Sequence, residues 1–288
     1  MSARTSEQLR LLCAHAHPDD ESSKGAATMA LYAAQGVSVT VLTLTGGERG
    51  DVLNPALDTP AVRADLPAIR RREMEHARTV LGVDQVWLGY EDSGFQLGEP
   101  WADLPPGSLA AADLRESGAR MADVLVRLRP HVVVTYDESG GYPHPDHVMC
   151  HRVSLKALEY AADQERYGER AWTVPKVYYQ MSFRRAKWAA LDAAARAAGL
   201  ESPYAERLAG WVYDPFDHRV TTQIECGDWF DVRDEALKAH ATQVDPVGGW
   251  FAVPTALQAT AWPVEDYELV RSTVAVHLPE TDLFAGLR

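Results

Sequence analysis

The apolar and polar positions switch between two periods along the first half of the chain. Residues 11–15 form a short apolar run, the pattern of a strand buried on both faces. From about 22 to 35 the pattern is Ala-rich and helical. Residues 37–43 then alternate with period two, as a half-buried strand does, and a glycine-rich loop follows at 46–50. A long charged helix is predicted from about 61 to 81, with Gly82 as its stop, then a short strand at 86–88 and a helix at 109–128 closed by Pro130. Residues 131–135 read as another strand and about 146–162 as a helix. The later part is less regular, with strands at 176–181 and 219–225 and helices at 184–198 and 229–241. Strands separated by helices imply parallel pairing with right-handed crossovers, hence a three-layer α/β fold with a mostly parallel sheet.

Composition narrows the class. A chain of 288 residues, 46% of them apolar, can bury a sizeable core and sits near the upper limit for one. One catalytic domain over 1–288 is therefore expected, with about 165–288 forming an extension that helps to shape the site. The net charge of -13 argues against nucleic acid or an anionic membrane as partner. Three widely spaced cysteines (Cys13, Cys150 and Cys226) fit a reduced, cytoplasmic protein. The first ten residues are polar and do not read as a secretory signal. The uncharged stretch 25–47 changes from a helical to a strand pattern halfway, which argues against a membrane span.

Two clusters carry the chemistry. Ala14-His-Ala-His-Pro-Asp-Asp-Glu-Ser22 follows the first strand, and Gly140-Gly-Tyr-Pro-His-Pro-Asp-His147 follows the strand at 131–135. Ligand sites in open α/β sheets lie just beyond the carboxyl ends of strands, so both clusters point to one rim. Histidines and consecutive acids crowded there need a counter-charge. A divalent metal held by His17, Asp20 and His147 supplies it and leaves coordination positions open. Asp19 is then a carboxylate beside the metal that is not needed as a ligand, the place for a general base on water. His15, in the strand two residues before His17, reads as a packed histidine or one that backs a ligand, rather than as a ligand itself. A non-haem Fe(II) oxygenase would use the same ligand types, but in an all-β setting and with no task for Asp19. A sugar-binding module would need no base at all.

The paired motifs His17-Pro-Asp-Asp20 and His144-Pro-Asp-His147 resemble the LmbE/PIG-L family of zinc-dependent N-deacetylases, whose fold is Rossmann-like. Further stretches narrow the resemblance to the mycothiol S-conjugate amidase branch: Ser22-Ser-Lys-Gly25, Thr43-Leu-Thr-Gly-Gly-Glu-Arg-Gly50, His240-Ala-Thr-Gln243 and Glu280-Thr-Asp-Leu-Phe-Ala-Gly286. The resemblance implies one Zn2+ per chain, with Fe2+ as a cellular alternative. It implies hydrolysis of a small thiol conjugate to a mercapturic acid and glucosaminyl-inositol, in detoxification within an actinobacterial cytosol. The sister reaction, deacetylation of N-acetylglucosaminyl-inositol, is the nearest alternative. Residue by residue, the resemblance makes Asp19 the base, Tyr142 a hydroxyl donor to the oxyanion, and His144 the group that protonates the amine or stabilises the oxyanion. Asp146 is the acid orienting His144, and Glu48, Arg70 and Asp92 lie near the inositol. The spacing of Arg70 and Glu73 by itself suggests a helix-face ion pair.

Lys24, one helical turn beyond Asp20, is expected to project toward the mouth of the site and to favour the cysteinyl conjugate over a plain acetyl group. Lys24→Ser should therefore shift the ratio of kcat/KM for the two substrates toward acetyl. An unaltered ratio would remove Lys24 from substrate selection.

Overall fold

The computed structural model describes residues 8–211 and 217–288. Its sheet is built from β1 (Arg10–His15), β2 (Ser38–Thr45), β3 (Asp84–Tyr90), β4 (Val132–Thr135), β5 (Lys176–Gln180), β6 (Thr222–Glu225) and β7 (Val264–Ser272). The spatial order is β3-β2-β1-β4-β5-β7-β6. The first five strands pair in parallel, whereas β7 runs antiparallel to both β5 and β6. The chain moves outward from β1 to β3 and then returns to place β4 on the other side of β1. The carboxyl ends of β1 and β4 thus flank the point where the winding reverses, the crevice in which such sheets hold ligands.

Helices cover both faces. They are α1 (Asp20–Ser23), α2 (Ala26–Ala34), α3 (Pro60–Ala64), α4 (Leu66–Leu81), α5 (Leu114–Leu128), α6 (Pro145–Ala161), α7 (Gln164–Tyr167), α8 (Arg185–Ala197), α9 (Ala205–Gly210), α10 (Phe230–Ala239) and α11 (Thr255–Ala261). Strand alternation sorts the core between the two faces. Leu11, Cys13, Val39 and Val41 pack with Met29 of α2, Met74 of α4 and Phe230 of α10. Leu12, Ala14, Leu42 and Leu44 pack with Met121 of α5 and Val153 of α6. A smaller apolar cluster, centred on Trp188, Leu191 and Tyr204, lies under α8 and α9. The sheet, its winding and the flanking helices are those of the three-layer α/β fold expected from the pattern.

The differences from the pattern have local causes. The helix predicted over about 22–35 breaks into α1 and α2, because Lys24 is extended and Gly25 sits at φ 86. A Cβ at Gly25 would stand 3.0 Å from Gln180 Nε2, so glycine suits both the backbone and the packing. The helix predicted over about 61–81 divides at Asp65 into α3 and α4, with Pro67 in the first turn of α4. α5 starts at Leu114 rather than 109, because the Asp113 carboxylate accepts the Arg115 and Glu116 N–H groups as an N-cap. β7 and α11 escaped the sequence pattern. β7 is rich in acids whose partners are remote: Glu265 accepts the Thr28 N–H, Asp266 meets Arg184, and Glu268 meets Arg219. The stretch 25–47 is shared between α2 and β2, and among the described residues no helix is long and apolar enough to cross a membrane.

The 280–286 stretch is tied to β5 by a buried pair. Lys176 Nζ donates to Glu280 Oε1 at 2.6 Å, and the Tyr178 hydroxyl donates to Glu280 Oε2 at 2.7 Å. Lys176 has no exposed surface and Glu280 is 4% exposed. Glu280→Ala would leave a buried ammonium without its counter-ion, at a cost of about 3–5 kcal/mol. Urea unfolding should show that loss, and the double variant Lys176→Met/Glu280→Leu should recover most of it.

Candidate active site

The turn after β1 is built against its own backbone preference. Asp19 has φ 115, a left-handed conformation that costs a non-glycine residue about 1–3 kcal/mol. Contacts from Glu21 and Arg70 hold it. The Asp19 N–H donates to Glu21 Oε2 at 2.9 Å. Arg70 Nη2 donates to Asp19 Oδ2 at 2.9 Å and to the Pro18 carbonyl at 2.5 Å, while Arg70 Nη1 reaches the Gly47 carbonyl at 2.7 Å. Glu21, fully buried, in turn accepts from His240 Nε2 at 2.7 Å. Burial alone would raise the Glu21 carboxyl, but His240 beside it brings it down to about 2. Burial lifts the Asp19 carboxyl above its ordinary range, against the pull of Arg70.

Asp20 opens α1, and its Oδ2 accepts the His17 N–H at 2.9 Å. Lys24 Nζ donates to Asp20 Oδ1 at 2.6 Å, and Asp20 Oδ2 lies 3.2 Å from His147 Nε2. Burial opposes ionisation of Asp20, yet His147 and Lys24 keep its carboxyl well below the usual range.

The second half of the site comes from the loop after β4 and the start of α6. His144 is the N-cap of α6, its Nδ1 accepting the Asp146 N–H at 3.1 Å, and Pro145 takes the first helical position. His147 therefore lies in the first turn and faces β1. Its Nδ1 donates to the Gly140 carbonyl at 2.9 Å, which leaves the lone pair on Nε2. Gly140 has φ 75, and a Cβ there would come within 2.6 Å of His147 Cβ. The Tyr142 ring centroid stands 4.4 Å from that of His147, with the side chain 37% exposed. Burial pushes the His144 imidazole down, to about 3, and the neighbouring His17 and His147 add to the fall.

His147 Nε2 is buried and has no hydrogen-bond partner, although Asp20 Oδ2 is only 3.2 Å away. Two lone pairs facing each other at that distance are unfavourable without a cation between them. One ligand atom from each of His17, Asp20 and His147 lies within 4.8 Å of the others. The donor set of two imidazoles and a carboxylate, together with the orphaned nitrogen, fits a divalent metal. Asp19 stays outside this group, its carboxylate on Arg70 and a quarter exposed.

The remaining expected site residues take more varied places. Asp146 does not meet the His144 ring through its carboxylate. Its Oδ2 accepts the Ser93 N–H at 2.8 Å and lies 3.2 Å from His17 Nε2, and Oδ1 accepts the Ser93 hydroxyl. The His144 ring is fixed by the Asp146 backbone instead. Arg70, expected to face the inositol, is 2% exposed and braces the Asp19 turn from below. The Arg70–Glu73 pair does not form, because Glu73 is buried and accepts from the Thr242 N–H and hydroxyl, each at 2.8 Å. Glu48 Oε2 accepts the Asp92 N–H at 3.0 Å, so it shapes the β3 loop as well as lining it. Asp92 is buried, 3.6 Å from His17 Nε2. Lys24 is turned inward by the break before α2 and lies buried against Asp20. Sequence reasoning missed the bracing roles of Glu21, His240 and Ser93. The acid run and the 240–243 motif held the first two in view, but nothing marked Ser93.

Comparison with known proteins agrees with this geometry. The family model described as PIG-L, GlcNAc-PI de-N-acetylase, matches residues 12–158. A mycothiol S-conjugate amidase of Streptomyces coelicolor is 50% identical over 98% of both chains. A 1D-myo-inositol 2-acetamido-2-deoxy-alpha-D-glucopyranoside deacetylase of Streptomyces avermitilis is 40% identical, covering 96% of this chain and 97% of its own. Among solved structures, N,N'-diacetylchitobiose deacetylase of Pyrococcus horikoshii superposes with a TM-score of 0.61 at 17% identity, over 94% of this chain and 87% of the other. With its two histidine motifs joined at one crevice of the matched fold, this chain belongs to the PIG-L (LmbE-like) family.

Proposed function

We propose that this protein hydrolyses the amide bond of mycothiol S-conjugates, releasing an N-acetylcysteine S-conjugate and glucosaminyl-inositol. The observation that carries the reading is the orphaned His147 Nε2 facing Asp20, with Asp19 held clear of both on Arg70, in a chain 50% identical to the Streptomyces coelicolor amidase over 98% of both. Zn2+ is the metal proposed for His17, Asp20 and His147, and the same donors accept Fe2+. Such an ion supplies Lewis acidity, which eases deprotonation of water and polarises an amide carbonyl.

The chain's own groups do the rest. Asp19 accepts the proton of the attacking water, and its strained turn, clamped by Arg70 and Glu21, fixes where that carboxylate sits. Tyr142, half-exposed beside His147, offers its hydroxyl to the oxyanion. His144, at the N-terminus of α6, has its Nδ1 taken by the Asp146 N–H, which leaves the proton on Nε2 to serve the oxyanion as a neutral donor. Glu48 and Asp92 stand on the β2 and β3 side for the glucosaminyl-inositol half. Residues beyond about 165 act in the same catalytic unit, since His240 and Thr242 hold residues of the site loops and of α4. Deacetylation of N-acetylglucosaminyl-inositol is the second reading, favoured by the 40% identical Streptomyces avermitilis deacetylase.

Protein refolded or expressed with zinc should carry about one metal per chain by elemental analysis, whereas His147→Ala should lose it with the far-UV spectrum retained. A bimane-labelled mycothiol conjugate should release labelled mercapturate with metal-replete protein and none after chelation. Asp19→Asn should keep the metal and lose about 10²–10⁴ in kcat. A kcat/KM higher for N-acetylglucosaminyl-inositol than for the conjugate would transfer the assignment to the deacetylase.

A further inference from the structure

The carboxyl rim of the sheet is sorted by chemistry on either side of the metal ligands. Toward β3 lie the polar groups of the loops after β2 and β3: Glu48, Arg49 and Asp92. Toward β5 the character changes. Lys24 Nζ, 2.6 Å from Asp20 Oδ1, also lies 5.9 Å from the Tyr142 ring centroid and 5.8 Å from that of Phe183, just beyond the end of β5. The Phe183 ring is stacked on Trp188 with centroids 6.5 Å apart and planes at 11°, and Trp188 packs on Tyr204 at 4.8 Å. Arg207 covers both Phe183 and Trp188. Phe183, Trp188, Pro203, Tyr204, Arg207 and Trp250 line an open groove of about 340 Å³, and Trp250 at its rim is 43% exposed. The groove thus begins one side chain away from a proposed metal ligand, on the side opposite the polar loops.

A cleaved amide has two halves, and the site offers two unlike surfaces for them. The hydroxyl-rich amino-sugar half suits the carboxylates and arginine toward β3. The acyl half of an S-conjugate is a cysteine whose sulfur carries an apolar group, for which aromatic walls capped by a guanidinium are suited. We propose that the groove formed by Phe183, Trp188, Tyr204, Arg207 and Trp250 receives the substituent on the cysteine sulfur. This rests on the amidase reading above. The groove has stacked rings along its wall and is open to solvent beside Trp250, so flat aryl groups fit better than small ones and the groove tolerates several.

The test compares kcat/KM for an S-benzyl and an S-methyl mycothiol conjugate. Wild-type protein should favour S-benzyl. Phe183→Ala and Trp250→Ala should each lower the benzyl-to-methyl ratio by about threefold to tenfold, mainly through KM. Trp250 is a rim residue, so its variant keeps the question open to measurement should Phe183→Ala fold poorly. Phe95, an exposed ring on the opposite side 5.8 Å from His144, is the comparison, and Phe95→Ala should leave the ratio in place. Conjugates cleaved with a ratio that neither groove variant alters, or that only Phe95→Ala alters, overturn the groove and leave the amidase reading standing. Wild-type protein that removes acetyl from N-acetylglucosaminyl-inositol but cleaves neither conjugate overturns both.

Discussion

Three buried carboxylates gathered around one imidazole set the terms for everything else in this structure. Asp20, Asp92 and Asp146 all come within 3.6 Å of His17 and are almost wholly buried, so their charges repel in a medium that screens little. Each is offset separately. Asp20 has Lys24, Asp146 takes both the N–H and the hydroxyl of Ser93, and Asp92 takes the backbone of Arg49 and Gly94. What these contacts leave over is the gap between Asp20 and His147, where the unpartnered Nε2 faces a carboxylate oxygen at 3.2 Å. The arrangement is a local surplus of negative charge prepared at the crevice where the sheet reverses its winding.

The surplus explains why the neighbouring loops are so firmly built. Asp19 has to present a carboxylate next to Asp20 without joining it, and a relaxed backbone would not hold it there. Arg70 and Glu21 impose the left-handed turn, and Glu21 is itself fixed by His240. The strain is small beside the contacts that secure it, which is the usual economy of strained residues at functional sites.

Much of this was legible in the residues. The alternation of periods gives the parallel sheet, and the two histidine motifs at strand ends locate the crevice, because strand direction alone decides which rim they share. His17, Asp20 and His147 could be grouped on residue type and topology. What resisted reading was anything that depends on where a side chain turns after the backbone is known. Lys24 faces inward only because Gly25 breaks the helix. Arg70 and Glu73, one helical turn apart, look like a pair but are drawn to Asp19 and Thr242 on different elements. Asp146 sits two residues from His144 yet turns its carboxylate to Ser93. β7 was hidden by charges whose partners lie tens of residues away.

The brace on Asp19 also orders events during synthesis. Every proposed metal ligand lies within the first 147 residues, whereas the imidazole that anchors Glu21 is residue 240 and the acid that anchors β5 is residue 280. A nascent chain halted between these points would own the proposed ligands without the brace that sets Asp19 beside them. The setting of Asp19 beside the proposed ligands is thus coupled to docking of a residue more than two hundred positions away.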